Sequence, residues 1–439
     1  MKYLAIDLGA SNGRHIVGYL ENGQLVTQTV YRFENGATKT SHGLTWDIES
    51  IFNHVLQGIK VAVEKFPDIE SVSIDTWGVD YVLFKGDTPV YPCMAYRDER
   101  TLKTVPLVHK IVPFEKLYEK TGIQFQTFNT VYQLYDDLLK GKLEGVTDFL
   151  AIPEYLSYRL TGIKKKEYTF ATTTGLVNAY TKQFDLEIVK QLGYPLQMFK
   201  PLCQAGEIYG NLKQDVKNYV GKDLTVVACA SHDTASAVEG IPNDNANLNC
   251  PYVSSGTWSI IGVKSQVPHT DTESLKNGCS NEGGVGYIRY QKNTMGMWMV
   301  QSLRAELCPN KDYIDIANGA KESLFDGVVD ANDQAFFAPD SMKGAIDQYL
   351  LSKGRPLPTD PNGYFKCAYA SIANAYKTTL QEISNCTGEK YDSICIVGGG
   401  AKNLYLNSLI EKVCGVKVIA YPIEATALGN LKIQMQTIR

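Results

Sequence analysis

The chain has 439 residues, 44% of them hydrophobic and 21% charged, and a formal net charge of −4. This length predicts two or three domains with sizeable cores, and the charge balance disfavours a nucleic-acid partner. The first residues lead directly into a strand pattern and no apolar stretch is long enough to span a bilayer, so neither a signal peptide nor a membrane partner is expected.

Cysteine and histidine usage gives no sign of a metal site. The ten cysteines and six histidines show neither a Cys-x-x-Cys motif nor metal-ligand spacing, so no residue is assigned as a metal ligand. Cysteines in apolar strand patterns, such as Cys229 and Cys395, behave as small hydrophobic residues. A reducing, cytoplasmic environment is therefore expected. The basic run at 164–166 is expected to lie in a solvated loop.

The N-terminal part alternates strands with turns and then with a helix. Apolar alternation predicts strands over 2–8, 14–20 and 24–33. A helix capped by Asp47 is predicted from 48 to about 63, followed by a strand over 71–75. Strands that are joined by hairpins and then alternate with helices indicate a mixed α/β domain.

Two polar segments follow predicted strands in this part of the chain. After the strand over 71–75, Gly78 would let a flat polar ligand approach the backbone, while Trp77 fits a core position better than a ligand platform. After a strand predicted over 224–230, Asp233 has two interpretations: the N-cap of the following helix, or a general base at a strand end. Phosphoryl transfer to an alcohol needs such an Asp, together with cradled phosphates and Mg²⁺.

The pattern recurs beyond a turn-rich boundary at 242–245. A second hairpin is predicted over 251–263, and a helix over 293–301 that would carry Asn293 and Gln301 on neighbouring faces. A helix over 364–384, a strand over 393–397, a helix over 404–413 and a strand over 416–421 follow. The glycine-rich turn at 398–400 lies between a strand and a helix, where α/β sheets bind ligands.

Glycine-bearing turns at 7–14 and 254–259 interrupt the two hairpins. Tight turns with exposed N–H groups bind anions, so two of them predict two lobes that hold one polyphosphate, although each alone fits an ordinary hairpin connection. Neither a P-loop nor a complete Gly-x-Gly-x-x-Gly motif is present in the sequence, which disfavours those two nucleotide sites.

Taken in chain order, these segments resemble the FGGY carbohydrate kinases of the actin-like ATPase superfamily. The matching motifs lie at 6–14, 75–80, 95–98, 231–238, 254–259, 281–284, 295–298 and 397–400. The resemblance implies an α/β fold with two ribonuclease-H-like domains, 1–241 and 245–439, and a ligand cleft between them. Asn12 stands where the family usually has Ser, and because Asn tolerates turn conformations little change is expected.

The resemblance also implies the site residues. The residues implied to bind ATP are Ala10, Ser11, Asn12, Gly13, Arg14, Thr257, Gln301 and Gly399. Those implied to bind the sugar are Gly78, His232, Asp233, Thr234 and Asn293, with Asp233 as the catalytic proton acceptor. Asp7 would lie near the Mg²⁺ that ATP carries, through water.

The implied activity is ATP-dependent phosphorylation of a ketose. L-Rhamnulose is the expected substrate, phosphorylated on its primary hydroxyl, and L-fuculose is the alternative. A nonenzymatic actin-like nucleotide switch or sugar sensor is the alternative from another class, and it would need no base such as Asp233. The expected partners are the sugar and ATP alone, with a monomer or small homo-oligomer as the assembly.

Overall fold

The computed structural model describes residues 1–242, 250–421 and 424–438. The strands are β1 (Lys2–Leu8), β2 (Asn12–Glu21), β3 (Gln24–Glu34), β4 (Thr38–Thr40), β5 (Gly43–Trp46), β6 (Ile69–Thr76), β7 (Tyr81–Lys85), β8 (Thr88–Val90), β9 (Cys93–Met94), β10 (Asp148–Ala151), β11 (Lys166–Glu167), β12 (Leu202–Cys203), β13 (Ile208–Asn211), β14 (Thr225–Val227), β15 (Tyr252–Ser255), β16 (Trp258–Ser265), β17 (Ser280–Gly283), β18 (Ile288–Met295), β19 (Ser393–Val397) and β20 (Lys417–Tyr421).

The α-helices are α1 (Ile48–Lys65), α2 (Val105–Ile111), α3 (Phe114–Thr121), α4 (Thr130–Leu139), α5 (Ile152–Thr161), α6 (Tyr168–Thr172), α7 (Leu186–Gln191), α8 (Gln214–Val220), α9 (Asp233–Glu239), α10 (Thr272–Lys276), α11 (Trp298–Leu307), α12 (Tyr313–Glu322), α13 (Met342–Ser352), α14 (Pro361–Thr387), α15 (Leu404–Cys414) and α16 (Ala425–Thr437). Short 3₁₀ turns lie at Glu99–Lys103, Leu196–Met198, Gln334–Phe336 and Gly399–Lys402. Among the described residues, none of the helices combines the length and the hydropathy that a membrane span requires.

The chain forms two compact units. The first contains 1–242, 265–289 and 425–439, and the second contains 243–264 and 290–424. The predicted domain division, 1–241 and 245–439, stays a prediction, and 243–245 of its boundary turn lie outside the described residues.

A mixed sheet is the centre of the first unit, with strand order β13-β14-β6-β1-β2-β3. β1 is antiparallel to β2 and parallel to β6, and β14 is parallel to β6. α1 begins where the Asp47 side chain accepts a hydrogen bond from Ser50 N at 2.9 Å, as predicted. Its apolar face, which includes Val55 and Ile59, belongs to the same buried core as the strands of this sheet.

The C-terminal helix α16 also packs in the first unit. It approaches α9 closely, because a Cβ on Gly429 would lie 1.8 Å from the Ser236 carbonyl oxygen and one on Gly240 would lie 2.0 Å from the Ala425 carbonyl oxygen. Glycine at both positions lets the two backbones pack almost in contact. α16 also reaches the sheet, where Asn430 Nδ2 donates to Asp75 Oδ2 at 2.6 Å.

The second unit repeats this strand arrangement. Its sheet contains the order β18-β16-β15-β19-β20, with β15 antiparallel to β16, β15 parallel to β19, and β19 parallel to β20. The long helix α14 begins at the Asp360 cap and ends at Gly388, whose φ of 73° is the left-handed conformation that glycine adopts readily. The predicted hairpin, helices and strands of this unit are confirmed within a few residues at each end, with the exception of the helix over 293–301.

That predicted helix is wrong. Residues up to Met295 continue β18, and the helix α11 begins only at Trp298. The reason lies at Gly296, where an added Cβ would come within 2.7 Å of the Gly256 and Thr257 carbonyl oxygens. This close approach turns the chain between strand and helix, so Asn293 and Gln301 belong to different elements.

Two further predictions need correction in the first unit. The strand predicted over 224–230 is only Thr225–Val227. The residues that follow do not continue the regular hydrogen bonding of the sheet, although the Ser231 carbonyl oxygen accepts from Thr76 N, at the end of β6, at 2.9 Å. Within the basic run, Lys166 is only 2% exposed rather than solvated, and it pairs with Asp148 at 2.9 Å. Burial of a cation requires such a partner.

Candidate active site

Three neighbouring parallel strands of the first unit end at one edge of its sheet. They lie in the order β14-β6-β1, and they are followed by the segments 228–233, 77–80 and 9–11 respectively. Backbone bonds hold these segments together, since Trp77 N donates to Leu8 O at 3.2 Å and Thr76 N to Ser231 O at 2.9 Å. The carboxyl edge of parallel strands is where α/β sheets place ligands.

The turn between β1 and β2, together with the first residues of β2, contains the five predicted phosphate-binding residues of this unit. Gly9 N donates to Asn12 O at 2.8 Å and closes the turn. Ser11 and Asn12 are exposed at its tip, whereas Gly13 is buried, with a hypothetical Cβ only 2.2 Å from the Phe33 ring. Ala10 is partly buried. Arg14 pairs with Asp7 on the neighbouring strand.

Two carboxylates face each other at the start of this edge. Asp7 on β1 lies opposite Asp75 on β6 in the strand register. Burial, and after it the Asp7 carboxylate, raise the pKa of Asp75 well above its usual value. Asp75 Oδ1 is buried without a hydrogen-bond partner among the described residues. Carboxylate oxygens and phosphates are the ligands that Mg²⁺ prefers, so this pair fits a cation brought in with a nucleotide.

Four of the five predicted sugar-binding residues meet at the start of α9. His232 Nε2 lies 3.4 Å from Asp233 Oδ1, and a Cβ on Gly78 would lie 3.3 Å from the same nitrogen. Asp233 Oδ1 accepts from Thr234 N at 2.5 Å and from Thr234 Oγ1 at 3.0 Å. The Asp233 side chain is 32% exposed, which leaves it accessible to a ligand.

The N-cap of α9 is His232, and Asp233 is the first residue of the helix. The interpretation of Asp233 as the N-cap is therefore wrong, although its carboxylate does accept a bond from the first turn. Trp77 is a buried core residue, 5% exposed, whose Nε1 donates to Asp80 at 2.9 Å.

Glu167 supports the segment before Asp233, and no local sequence pattern predicted this role. Its Oε2 accepts from Ser231 Oγ at 2.7 Å, from Ser231 N at 3.2 Å and from Thr169 Oγ1 at 2.6 Å. Burial raises the pKa of Glu167. Glu282 and Arg289 contact His232. The sequence predicted no role for either residue, although Glu282 lies in the motif at 281–284.

In the second unit, the β15–β16 turn meets the start of α11. Met297 N donates to Gly256 O at 2.9 Å, and Trp298 N donates to Thr257 O at 3.0 Å. Thr257 Oγ1 donates to Gln301 Oε1 at 3.2 Å. Because Thr257 is exposed, an anion can compete with Gln301 for its hydroxyl proton.

The glycine turn after β19 packs against this same hairpin. A Cβ on Gly398 would lie 2.7 Å from Ser255 O, and one on Gly400 would lie 2.0 Å from Ser255 Oγ. Between them Gly399 faces open space and is exposed. The three predicted nucleotide residues Thr257, Gln301 and Gly399 therefore lie around one hairpin. Asn293 is exposed on β18. It belongs to the second unit, whereas the other four predicted sugar-binding residues belong to the first.

Within 1–242, 250–421 and 424–438, no group of three or more His, Cys, Asp or Glu side chains is arranged to hold a metal ion. Asp7 and Asp75 are only two carboxylates, so they do not form such a group. A cation there would depend on ligands from a bound nucleotide and water, as is typical for Mg²⁺ with phosphates.

Comparison with known proteins identifies the family to which the chain belongs. The family model "FGGY family of carbohydrate kinases, N-terminal domain" matches residues 2–240, and the C-terminal domain model matches 251–437. Rhamnulokinase from Oceanobacillus iheyensis is 41% identical over 441 residues, covering 99% of this chain and 93% of that protein. Rhamnulokinase from Bacillus subtilis is 37% identical over 440 residues, covering 99% of this chain and 90% of that protein.

Solved structures show the same fold. Gluconate kinase from Lactobacillus acidophilus has a TM-score of 0.80 at 16% identity, with 100% of this chain and 89% of that chain covered. Plasmodium falciparum glycerol kinase with ADP has a TM-score of 0.74 at 14% identity, with 98% and 88% covered. The predicted fold class and family are confirmed: the chain belongs to the FGGY family of carbohydrate kinases and is an ATP-dependent sugar kinase.

Proposed function

We propose that the enzyme phosphorylates L-rhamnulose on its primary hydroxyl and releases L-rhamnulose 1-phosphate and ADP. The names of its relatives support this substrate. The observation that carries the chemistry is the accessible Asp233 carboxylate, which lies beside His232 and Gly78 at the carboxyl edge of the first sheet. A general base must be reachable by the hydroxyl whose proton it accepts.

In the proposed reaction, the ketose lies against Gly78, His232, Asp233 and Thr234, with Asn293 as a further contact. Asp233 takes the proton of the primary hydroxyl while the hydroxyl oxygen forms a bond to the γ-phosphorus of ATP. The bond from that phosphorus to the bridging oxygen breaks, and its electron pair stays on ADP. Positioning and charge stabilisation supply most of the catalysis in such transfers.

The proposed ATP contacts come from the turns in both units. Ala10 to Arg14 would contact phosphates in the first unit, and Thr257, Gln301 and Gly399 would contact the nucleotide in the second. The exposed Ser11, Asn12 and Thr257 offer donors for phosphate oxygens. Mg²⁺, when bound with ATP, would neutralise phosphate charge. Asp7 would hold it through water, and Asp75 would offer the buried oxygen that lacks a hydrogen-bond partner among the described residues.

The role of the base is tested by Asp233→Asn. Loss of a general base lowers kcat by at least about 10²-fold, whereas binding of the ketose should largely survive. Asp215→Asn is the matched control, since Asp215 is also an acidic residue in the first turn of a short helix and is exposed. Near-normal turnover of Asp233→Asn would leave Asp233 as a structural residue only.

The substrate is tested by measuring ATP consumption across a panel of ketoses, with the phosphorylated position of the product determined by NMR. We expect L-rhamnulose to give the highest kcat/KM and to be phosphorylated at C1. A higher value for L-fuculose, which differs only in stereochemistry, would reassign the substrate. Binding of sugar and ATP without any turnover would instead indicate a sensor.

We also propose a cytoplasmic location and a monomer or small homo-oligomer. The cysteines support the cytoplasmic location, because all ten are free thiols and free thiols are typical of reducing compartments. Gel filtration with light scattering determines the assembly.

A further inference from the structure

His232 has a buried ion pair behind it. The Arg289 side chain is fully buried, and its Nη2 lies 2.9 Å from Glu282 Oε2. Arg289 Nε also donates to Gly283 O at 2.8 Å. The guanidinium is therefore fixed at two points, as a planar group with several donors can be.

Both members of this pair reach the same nitrogen of His232. Nδ1 lies 3.2 Å from Arg289 Nη2 and 3.2 Å from Glu282 Oε2. A guanidinium nitrogen can only donate, and Nη2 carries two hydrogens. One hydrogen can go to Glu282 and the other to Nδ1, which must then offer its lone pair. A neutral imidazole in that position carries its proton on Nε2.

The other ring nitrogen faces the proposed base. His232 Nε2 lies 3.4 Å from Asp233 Oδ1, and an added Cβ on Gly78 would lie 3.3 Å from it. We propose that Arg289, oriented by Glu282, fixes His232 in the tautomer with its proton on Nε2 and so directs this N–H toward Asp233. Arg289 and Glu282 are thus positioning residues. Their importance for catalysis rests on the proposed function of Asp233. The assignment of the His232 tautomer does not depend on that function.

The tautomer matters because it decides whether His232 and Asp233 attract or repel each other. A proton on Nε2 can be donated to the carboxylate, which orients it and leaves its other lone pairs for the ketose hydroxyl. Without Arg289, the Glu282 carboxylate would be the group nearest to Nδ1 at 3.2 Å. Since a carboxylate only accepts, it would favour a proton on Nδ1, and a bare Nε2 lone pair would then face Asp233.

The tautomer can be measured directly by ¹⁵N NMR of histidine-labelled protein, because the two ring nitrogens differ strongly in shift. The chain has six histidines, and His232→Asn identifies the relevant signal. At a pH where His232 is neutral, the wild type should show a protonated Nε2 and a bare Nδ1. Arg289→Met should move the proton to Nδ1, and Glu282→Gln should leave it on Nε2. A wild-type signal with the proton on Nδ1 would overturn the proposal.

Kinetics separate positioning from mere structural support. Arg289→Met should lower kcat by at least about tenfold while the KM for ATP stays unchanged, and it should cause no further loss in a His232→Asn background. Additive losses would show that Arg289 does not act through His232. If Arg289→Met fails to fold, the wild-type and Glu282→Gln spectra still decide the tautomer. An active Asp233→Asn enzyme with the expected tautomer would refute the proposed base and leave the tautomer assignment standing.

Discussion

His15 is a fully buried titratable side chain, and its burial predicts a loss of stability in mild acid. The ring lies on β2 against α1, where a Cβ on Gly58 would come within 2.3 Å of it. His15 Nε2 lies 3.3 Å from the Val55 carbonyl oxygen. Desolvation lowers the pKa of His15 from 6.5 to about 3, and it outweighs the hydrogen bond to Val55, which raises the pKa.

The sign and size of this loss of stability follow from the pKa of His15 in the unfolded and folded chains. In the unfolded chain His15 takes up a proton near pH 6.5, whereas in the folded chain it does so only near pH 3. The unfolded state therefore binds more protons between these values, so the free energy of unfolding falls as the pH falls through this window. With about 1.4 kcal/mol for each pKa unit, the loss at about pH 5 relative to about pH 7.5 is roughly 2 kcal/mol.

Urea unfolding at these two pH values measures the effect in wild type and in His15→Gln. Gln cannot titrate, and its amide nitrogen can still donate to the Val55 carbonyl, so the variant should lose about 2 kcal/mol less than wild type on acidification. His42→Gln is the control because His42 is exposed, and it should behave as wild type. Equal acid losses in wild type and His15→Gln would refute the assignment of the effect to His15.

Two further predictions concern the second-unit hairpin and the C-terminal helix. Thr257→Val should weaken ATP binding by about 1–3 kcal/mol through loss of a donor and leave ketose binding unchanged in calorimetry; equal weakening of both ligands would contradict the assignment. Gly429→Ala should destabilise the protein by at least about 2 kcal/mol in urea unfolding, since its Cβ would meet the Ser236 carbonyl oxygen at 1.8 Å. Gly344→Ala is the control and should be nearly neutral, since its Cβ would meet only the Ser341 side chain, 3.1 Å from Oγ and 3.4 Å from Cβ. A stable Gly429→Ala would show that α16 and α9 can move apart freely.

Local patterns were enough to predict most elements around the site. The helix expected from 48 to about 63 is Ile48–Lys65, and the strand expected over 393–397 is Ser393–Val397. Each is determined by apolar periodicity and by a cap or glycine turn within its own stretch of sequence. The same signals located the two hairpins, so the position of Thr257 on a turn, and that of residues 10–14 across a turn and the start of the next strand, followed from sequence alone.

What the sequence could not reveal are contacts between distant segments. Glu167 holds Ser231 across 64 positions, Arg289 reaches His232 across 57, and Asn430 reaches Asp75 across 355. A single Glu, Arg or Asn in such places has no local pattern that distinguishes it from a surface residue. The helix expected over 293–301 failed for the same reason, because the turn at Gly296 is imposed by the backbone of the distant residues 256–258.

The repeated topology explains why each unit has a candidate anion turn but a different chemistry beside it. In both sheets a hairpin is followed by two parallel strands, β6 and β14 beside β1 in the first unit, and β19 and β20 beside β15 in the second. The hairpin turn therefore lies at the carboxyl edge of its sheet in each case, where α/β sheets place ligands.

The difference between the units lies in the segments that follow the neighbouring strands. In the first unit β14 leads to His232 and Asp233, whose side chains can accept or donate a proton. In the second unit β19 leads to three glycines, of which Gly399 faces open space, so a flat group can approach the backbone but no proton acceptor is supplied. The topology thus accounts for the paired candidate anion turns, and these two segments are the reason for proposing proton transfer in the first unit and nucleotide contacts in the second.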